Sequence, residues 1–295
     1  MAPTEPAPAP APILVAGVQM EPKLGEVAAN RSRILAGLAE AAGAGAKLVV
    51  FPECALTGYG FGDKAEAMAH AEPASGPSVR EIGATCARLG AFAVFGMLER
   101  DGDRLFNACS LVGPEGLVGV YRKVHLPYLG VDRFADPGDR PFAVLDAGGV
   151  RVGMHICYDG AFPEVGRVLA LLGADLLVLP TNWPTHAESA AEHLMACRAM
   201  ENAVYAMAVN RVGEERGFRF IGRSSIADPN GQVLATAGPE AEEILTAVID
   251  PAKARQKRLV RVPGLHVIDR IGDRRPEFYA GIVGPNTRTG SRPTS

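Results

Sequence analysis

The sequence predicts an α/β fold, and three observations carry that reading. Short apolar runs of strand length alternate with longer segments whose apolar residues recur at helical spacing. Sheets covered by helices produce this alternation. Between residues 13 and 283 no stretch is long or polar enough to act as a linker, so one domain is expected there.

The elements follow in order. Residues 13–20 read as a buried strand. Residues 27–44 are alanine-rich with apolar positions at helical spacing, and the helix they predict ends near Gly43 or Gly45. Residues 47–52 form the next strand. Pro77 starts a helix over 78–89, and a strand over 91–98 follows. Residues 105–112 and 117–125 are consecutive strands joined by the turn Gly113-Pro114-Glu115-Gly116. A second pair, 142–145 and 150–156, flanks Ala147-Gly148-Gly149. A helix begins at Glu164, a strand covers 176–179, and a long helix spans 186–202. Strands at 204–209, 221–227, 233–235 and 244–249 complete the prediction. The stretch Gly45 to Pro52 echoes Gly173 to Pro180: each is a helix end, a buried strand and a proline. The echo suggests two related layers of one domain.

Composition narrows the function classes. Apolar residues make up 47% and charged residues 21%, an ordinary globular balance that excludes a disordered chain. The net charge of −3 gives no reason to expect nucleic acid or an acidic membrane as partner. No apolar run approaches the ~20 residues that span a bilayer. The cysteines are Cys54, Cys86, Cys109, Cys157 and Cys197, an odd set with no C-x-x-C spacing and no visible secretory signal. Free thiols in a reducing cytoplasm, and no structural zinc, are expected. Residues 1–12 alternate proline with alanine and read as a semi-rigid disordered tail. Residues 284–295, rich in Gly, Pro, Ser and Thr, read as a loose C-terminal tail.

The most informative segment runs Val152-Gly153-Met154-His155-Ile156-Cys157-Tyr158-Asp159-Gly160. A strand ends at the cysteine, a tight turn follows, and a helix starts after Phe162-Pro163-Glu164. Such an elbow presents one side chain at a sheet edge and aims freed backbone N–H groups at what that side chain attacks. This is the logic of the serine-hydrolase nucleophile elbow with sulfur in place of oxygen. The competing reading of Cys157 is a buried free thiol. Two more strand-like runs each deliver a reactive side chain. Leu48-Val49-Val50-Phe51-Pro52-Glu53 ends in a carboxylate, and Val118 to Pro127 carries Lys123. Alone, Glu53 would read as an exposed strand-end carboxylate and Lys123 as a solvated lysine.

Three pieces stand in the order Glu, Lys, Cys: Phe51-Pro52-Glu53, the segment Tyr121-Arg122-Lys123-Val124-His125-Leu126-Pro127, and the elbow His155-Ile156-Cys157-Tyr158-Asp159 with its trailing Phe162-Pro163-Glu164. Together they resemble the nitrilase (carbon–nitrogen hydrolase) superfamily, over about Ile13 to Tyr279. The resemblance implies a four-layer α-β-β-α sandwich, two packed sheets with helices outside. It also implies a cofactor-free hydrolase with no metal, acting on a small linear amide or N-carbamoyl amine. Glu53 is then the general base and acid, Lys123 stabilises the oxyanion, and Cys157 forms a thioester. The backbone N–H of Tyr158 is the candidate second oxyanion donor, by its position in the elbow.

One loop departs from the family pattern. Many members carry a second glutamate after the lysine, whereas residues 127–138 here contain none. Asp132 is the candidate substitute, one methylene shorter, against the reading of a solvated loop aspartate. True nitrilases typically show Cys-Trp-Glu at the elbow. Cys157-Tyr158-Asp159 is more like amidases and N-carbamoyl hydrolases. Tyr59, Phe61, Phe134, Asn182 and Trp183 lie after strand ends or in the lysine loop and are the candidate substrate pocket. Glu188 and Glu192 share a helix face and read as solvated, or as contacts for a basic substrate. His155 shares a strand face with Cys157 and allows a rival Cys–His pair, against the reading of a core histidine; His125 is expected to order the lysine segment. Segments 198–202, 210–213 and 274–279 also resemble the family and imply a homodimer or larger even assembly. The alternatives are a nitrilase working through a thioimidate at Cys157 and a catalytically silent scaffold of the same fold. A redox role for Cys157 would need a resolving thiol, and Cys54 is expected to face away.

Overall fold

The computed structural model describes residues 11–284. The tails expected over 1–12 and 284–295 lie outside the described residues, apart from their inner edges. Contacts group the chain into two compact units, one through Arg255 and one from Gln256 onward. The domain expected over 13–283 spans all of the first unit's elements and most of the second unit.

The first unit holds two six-stranded sheets. One is built from β1 (Ile13–Gln19), β2 (Leu48–Val50), β3 (Phe92–Asp101), β4 (Arg104–Gly113), β5 (Gly116–Arg122) and a late strand, Glu243–Ile249, which joins at the edge beside β1. The other is built from β6 (Val144–Ala147), β7 (Val150–Met154), β8 (Leu176–Thr181), β9 (Tyr205–Asn210), and, beyond a β10 (Val212–Glu215)–β11 (Phe218–Ile221) hairpin, β12 (Ser225–Ala227) and β13 (Val233–Thr236). The late strand is thus β14. In each sheet the central strand is parallel to both neighbours: β2 between β1 and β3, β8 between β7 and β9. That placement gives the sequence echo its structural meaning. Both central strands are buried on two faces, which is why they read as unbroken apolar runs.

Period-two alternation sorts the side chains between layers. Leu48, Val50 and Val94 face the second sheet and join Val152, Met154, Val178 and Met207 in one core. Val49, Ala93 and Phe95 face the other way, onto Ile34 and Leu38 of α1 (Val27–Gly43) and past the short α2 (Lys64–Met68) onto Ile82 and Cys86 of α3 (Pro77–Leu89). Behind the second sheet, Gly153 meets Leu169 of α4 (Pro163–Leu171), and α5 (Glu188–Asn202) adds Met195 and Ala199. The layers run α-β-β-α. Each fully buried Leu, Ile or Phe contributes about 1.5–3 kcal/mol, so this two-core arrangement is what rigidly presents the strand ends.

Three boundaries differ from the sequence reading. β5 stops at Arg122, leaving Lys123 to His125 as connecting chain. The strand expected over 221–227 is broken at Gly222 and Arg223, whose φ values of +54° and +58° turn a corner between the hairpin and β12. The β10–β11 hairpin itself was not expected, because Gly213 and Gly217 interrupt its apolar pattern. The second unit begins just after α6 (Pro251–Arg255). It contains the antiparallel hairpin β15 (Arg258–Val262)–β16 (His266–Asp269) and two short 3-10 turns, Pro276–Phe278 and Ala280–Val283.

Candidate active site

Glu53 stands just beyond β2, at the C-terminal end of a central strand, and is fully buried. The chain turns sharply there, with Cys54 at φ +49°. β3 passes so close that a Cβ on Gly96 would lie 2.2 Å from the Cys54 backbone nitrogen, so only glycine fits. Lys123 follows β5, and its N–H bonds the Asn107 carbonyl of β4 at 2.8 Å. Its Nζ lies 2.7 Å from Glu53 Oε1 and 2.6 Å from Asp132 Oδ2, with all three side chains out of solvent.

Asp132 arrives on a 3-10 turn, Gly130–Arg133, and is not a solvated loop residue. Its Oδ2 also accepts the Tyr59 hydroxyl at 2.8 Å, and its Oδ1 accepts Asn107 Nδ2 at 2.9 Å. The turn that carries Asp132 approaches the Tyr59 ring closely. Gly130 has φ +48°, and a Cβ there would meet the Tyr59 ring at 2.3 Å. Glu215 in turn fixes the Tyr59 loop, its Oε1 accepting the N–H groups of Tyr59 and Gly60, while its Oε2 pairs with buried Arg211 at 2.9 Å.

Cys157 opens the 3-10 turn Cys157–Ala161 with φ +45°, a left-handed conformation that is uncommon outside glycine. That strain is the elbow. Asp159 holds it: Oδ2 accepts the Tyr121 hydroxyl at 2.8 Å and the Ile156 N–H at 3.0 Å, and Oδ1 accepts the His125 N–H at 2.9 Å and lies 2.8 Å from its Nδ1. Burial opposes the Asp159 charge, but these bonds, led by His125, keep its carboxyl below the usual range. The His125 ring stacks on Phe162 with centroids 3.8 Å apart, so the lysine segment is tied to the cysteine turn. Arg198 of α5 adds a bond from Nε to the Gly160 carbonyl at 3.1 Å.

Electrostatics favour an uncharged thiol at rest. Burial and then the Glu53 carboxylate push Cys157 up to about 12, against Lys123, Thr181 and the Asn182 backbone N–H, which favour the thiolate. Burial also raises Glu53 above the ordinary carboxylate range, although Lys123 pulls it down. Burial alone would neutralise Lys123, yet Asp132 and Glu53 hold it firmly protonated. Glu53 uses only one oxygen in this network. Oε1 accepts both Lys123 and Asn107, whereas Oε2 is buried and has no partner among the described residues.

The sequence candidates divide accordingly. Glu53, Lys123 and Asp132 converge in direct contact, and Cys157 lies within their electrostatic reach. Tyr59 joins them through Asp132, and Asn182 adjoins the thiol through its backbone. The Asn182 carboxamide is buried with neither atom partnered among the described residues. Phe61 instead stacks on His70 and, with Phe134, packs in the small cluster around Tyr59 and Cys54. Trp183 packs in the main core. Tyr158 is exposed and meets Phe162 edge-on. The rival Cys–His pair does not form: His125 bonds Asp159, and the His155 ring nitrogens have no partner among the described residues. Glu188 and Glu192 are exposed on α5. Asn107, Asp159 and Glu215 were missed, since their roles rest on contacts far apart in sequence. Arg198 and Arg211, from segments the resemblance linked to dimer packing, are buried and bonded within their own chain. Among the described residues, no group of three or more His, Cys, Asp or Glu is placed to hold a metal, and no helix is long and apolar enough to cross a membrane.

Comparison with known proteins identifies the family. The carbon-nitrogen hydrolase family model matches residues 14–259. A nitrilase from Pyrococcus abyssi is 41% identical over 90% of this chain and 99% of its own. An (R)-stereoselective amidase from a Pseudomonas species is 37% identical over 81% of this chain and 86% of its own. Among solved structures, an amidase of the nitrilase superfamily from Nesterenkonia AN1 superposes with a TM-score of 0.72 at 25% identity, covering 85% of this chain and 96% of that one. The chain belongs to the carbon-nitrogen hydrolase family, as an amidase-like member of the nitrilase superfamily.

Proposed function

We propose that this chain hydrolyses the non-peptide C–N bond of a small linear amide or N-carbamoyl amine through a thioester on Cys157. The observation that carries the reading is the division of labour within Glu53. Oε1 is held by Lys123 and Asn107, Oε2 is left bare, and the Cys157 thiol lies within reach of the Glu53 charge while burial keeps it protonated. A thiol held near 12 needs a base in contact, because it does not ionise alone at neutral pH.

Glu53 Oε2 takes the Sγ proton as the sulfur pair attacks the carbonyl carbon, and the carbonyl π pair moves onto oxygen. An ammonium has three donors. Glu53 and Asp132 occupy two, and the third serves the oxyanion together with the Tyr158 N–H. Collapse reforms C=O and breaks C–N, and Glu53 returns its proton to the departing nitrogen. Water then attacks the thioester, giving its proton to Glu53. The acid leaves, and the proton returns to sulfur. Asp132, with both oxygens occupied, keeps Lys123 charged. The unpartnered Asn182 carboxamide offers a donor and an acceptor to a substrate amide. Tyr59 reaches the site through Asp132, while Phe61, Phe134 and Trp183 pack in the hydrophobic clusters and are not substrate contacts in this reading.

A nitrile substrate is the second reading, favoured by the name of the Pyrococcus relative. The elbow Cys157-Tyr158-Asp159 favours the amide. The five free cysteines fit a reducing cytoplasm, and exposed Val168, Leu171 and Leu172 support self-association as a homodimer or larger even oligomer. The test is ammonia release and intact mass with acetamide, propionamide, hexanamide, N-carbamoyl amines and the matching nitriles. Ammonia with an acyl mass on Cys157 from amides supports the first reading. Turnover confined to nitriles selects the second, and silence throughout favours the scaffold.

A further inference from the structure

Asn107 occupies a position that no motif announced. Its backbone carbonyl on β4 receives the Lys123 N–H, and its side chain is buried between the two carboxylates of the site. Nδ2 lies 2.7 Å from Glu53 Oε1 and 2.9 Å from Asp132 Oδ1, so both of its hydrogens are spent on anions. Oδ1 faces the Cys54 thiol at 3.6 Å. Acceptors on the nitrogen side and a donor on the oxygen side leave the carboxamide one orientation. The tight passage of Gly96 over the Glu53–Cys54 turn keeps that donor in place.

The arrangement separates two negative groups that would otherwise share only the Lys123 ammonium. It also decides which Glu53 oxygen is free. With Asn107 on Oε1, the carboxylate cannot rotate to offer that oxygen without breaking two charge-assisted bonds.

We infer that Asn107 is a positioning residue of the reaction, pinning Glu53 through Oε1 so that Oε2 alone exchanges the proton with Cys157. The inference rests on the reading of Glu53 as the base. Titratable groups coupled to the Glu53 charge come from several elements: Lys123 after β5, Asp132 on its 3-10 turn, Cys157 at the elbow, Cys109 on β4, and Cys54 and Tyr59 beyond β2. Of the two side chains that donate to Glu53, Asn107 is the neutral one. Removing it withdraws a bond to the ionised carboxylate, so more of the base is protonated at a given pH.

The test compares wild type with Asn107→Leu, close in shape but without donors, and with Asn107→Ser as the milder variant should the first fail to fold. The probe is the fastest of acetamide, propionamide and hexanamide, followed from pH 5 to 9. Expected is a kcat lowered by roughly 10- to 100-fold, a KM within about threefold, and an acid limb of kcat/KM moved up by about one pH unit. A folded variant with an unmoved acid limb overturns the inference, whether its rate is unchanged or lowered, because a merely structural loss does not move the limb. Glu53→Gln is run in parallel. If it keeps the wild-type rate, the base assignment itself fails, and the role of Asn107 falls with it.

Discussion

At the scale of single residues, the site sets saturated atoms beside bare ones. Asp132 has every oxygen occupied, and Glu53 has one bare. Glu53→Gln keeps the shape but removes the base, and kcat should fall by about 10² to 10⁴-fold with folding retained; ammonia release and a melting curve check both. Asp132→Ala leaves Lys123 with one counter-ion instead of two. Its kcat should drop at least about tenfold, and an unchanged rate would return Asp132 to a passive role. His155 carries a separate prediction. Burial holds its folded pKa down to about 4, from 6.5. Between those values the unfolded chain binds a proton that the folded chain does not, so the stability is present above pH 6.5 and lost as pH falls toward 4. Urea titrations should show wild type losing roughly 3 kcal/mol more than His155→Leu across that window; parallel losses would contradict it. The candidate catalytic residues stand out in the sequence because each lies in or at the end of a strand-like run. Asn107 and Asp159 do not, since a polar residue within or after an apolar run carries no mark of the partner 54 or 34 positions away that gives it a role.

At the scale of elements, strand ends and tight turns do the placing. Glu53 follows a parallel central strand, Lys123 follows an edge strand, and Cys157 lies beyond β7, which neighbours the other central strand. Period and length revealed nearly all these strands. They did not reveal where β5 stops, because Lys123-Val124-His125 continues an alternating pattern although the His125 N–H bonds the Asp159 carboxylate instead of a neighbouring strand. The broken strand at Gly222–Arg223 was hidden for the same kind of reason, an apolar run crossing a corner. Close approach makes a prediction here. Gly96→Ala drives a methyl into the backbone of the Glu53–Cys54 turn, and should cost about 1–3 kcal/mol in unfolding free energy while displacing Glu53 enough to lower kcat. A variant with wild-type stability and rate would show that the turn can give way.

At the scale of the whole molecule, the α-β-β-α layering brings together residues 104 positions apart, Glu53 and Cys157, from two different sheets. The layering was legible through family resemblance, and the second unit from Gln256 was not, because its hairpin is short and largely exposed. The exposed apolar residues of α4 give the assembly prediction. Leu171→Asp with Leu172→Asp should reduce the sedimenting species to a monomer, and a wild-type monomer at micromolar concentration would remove the oligomer from the account. The central claim is the sulfur nucleophile, and its most direct measurement is ammonia release by Cys157→Ala on the best amide, with its melting curve recorded alongside. Expected is turnover at background in a protein that melts like wild type. Substantial turnover by that folded variant would contradict that claim.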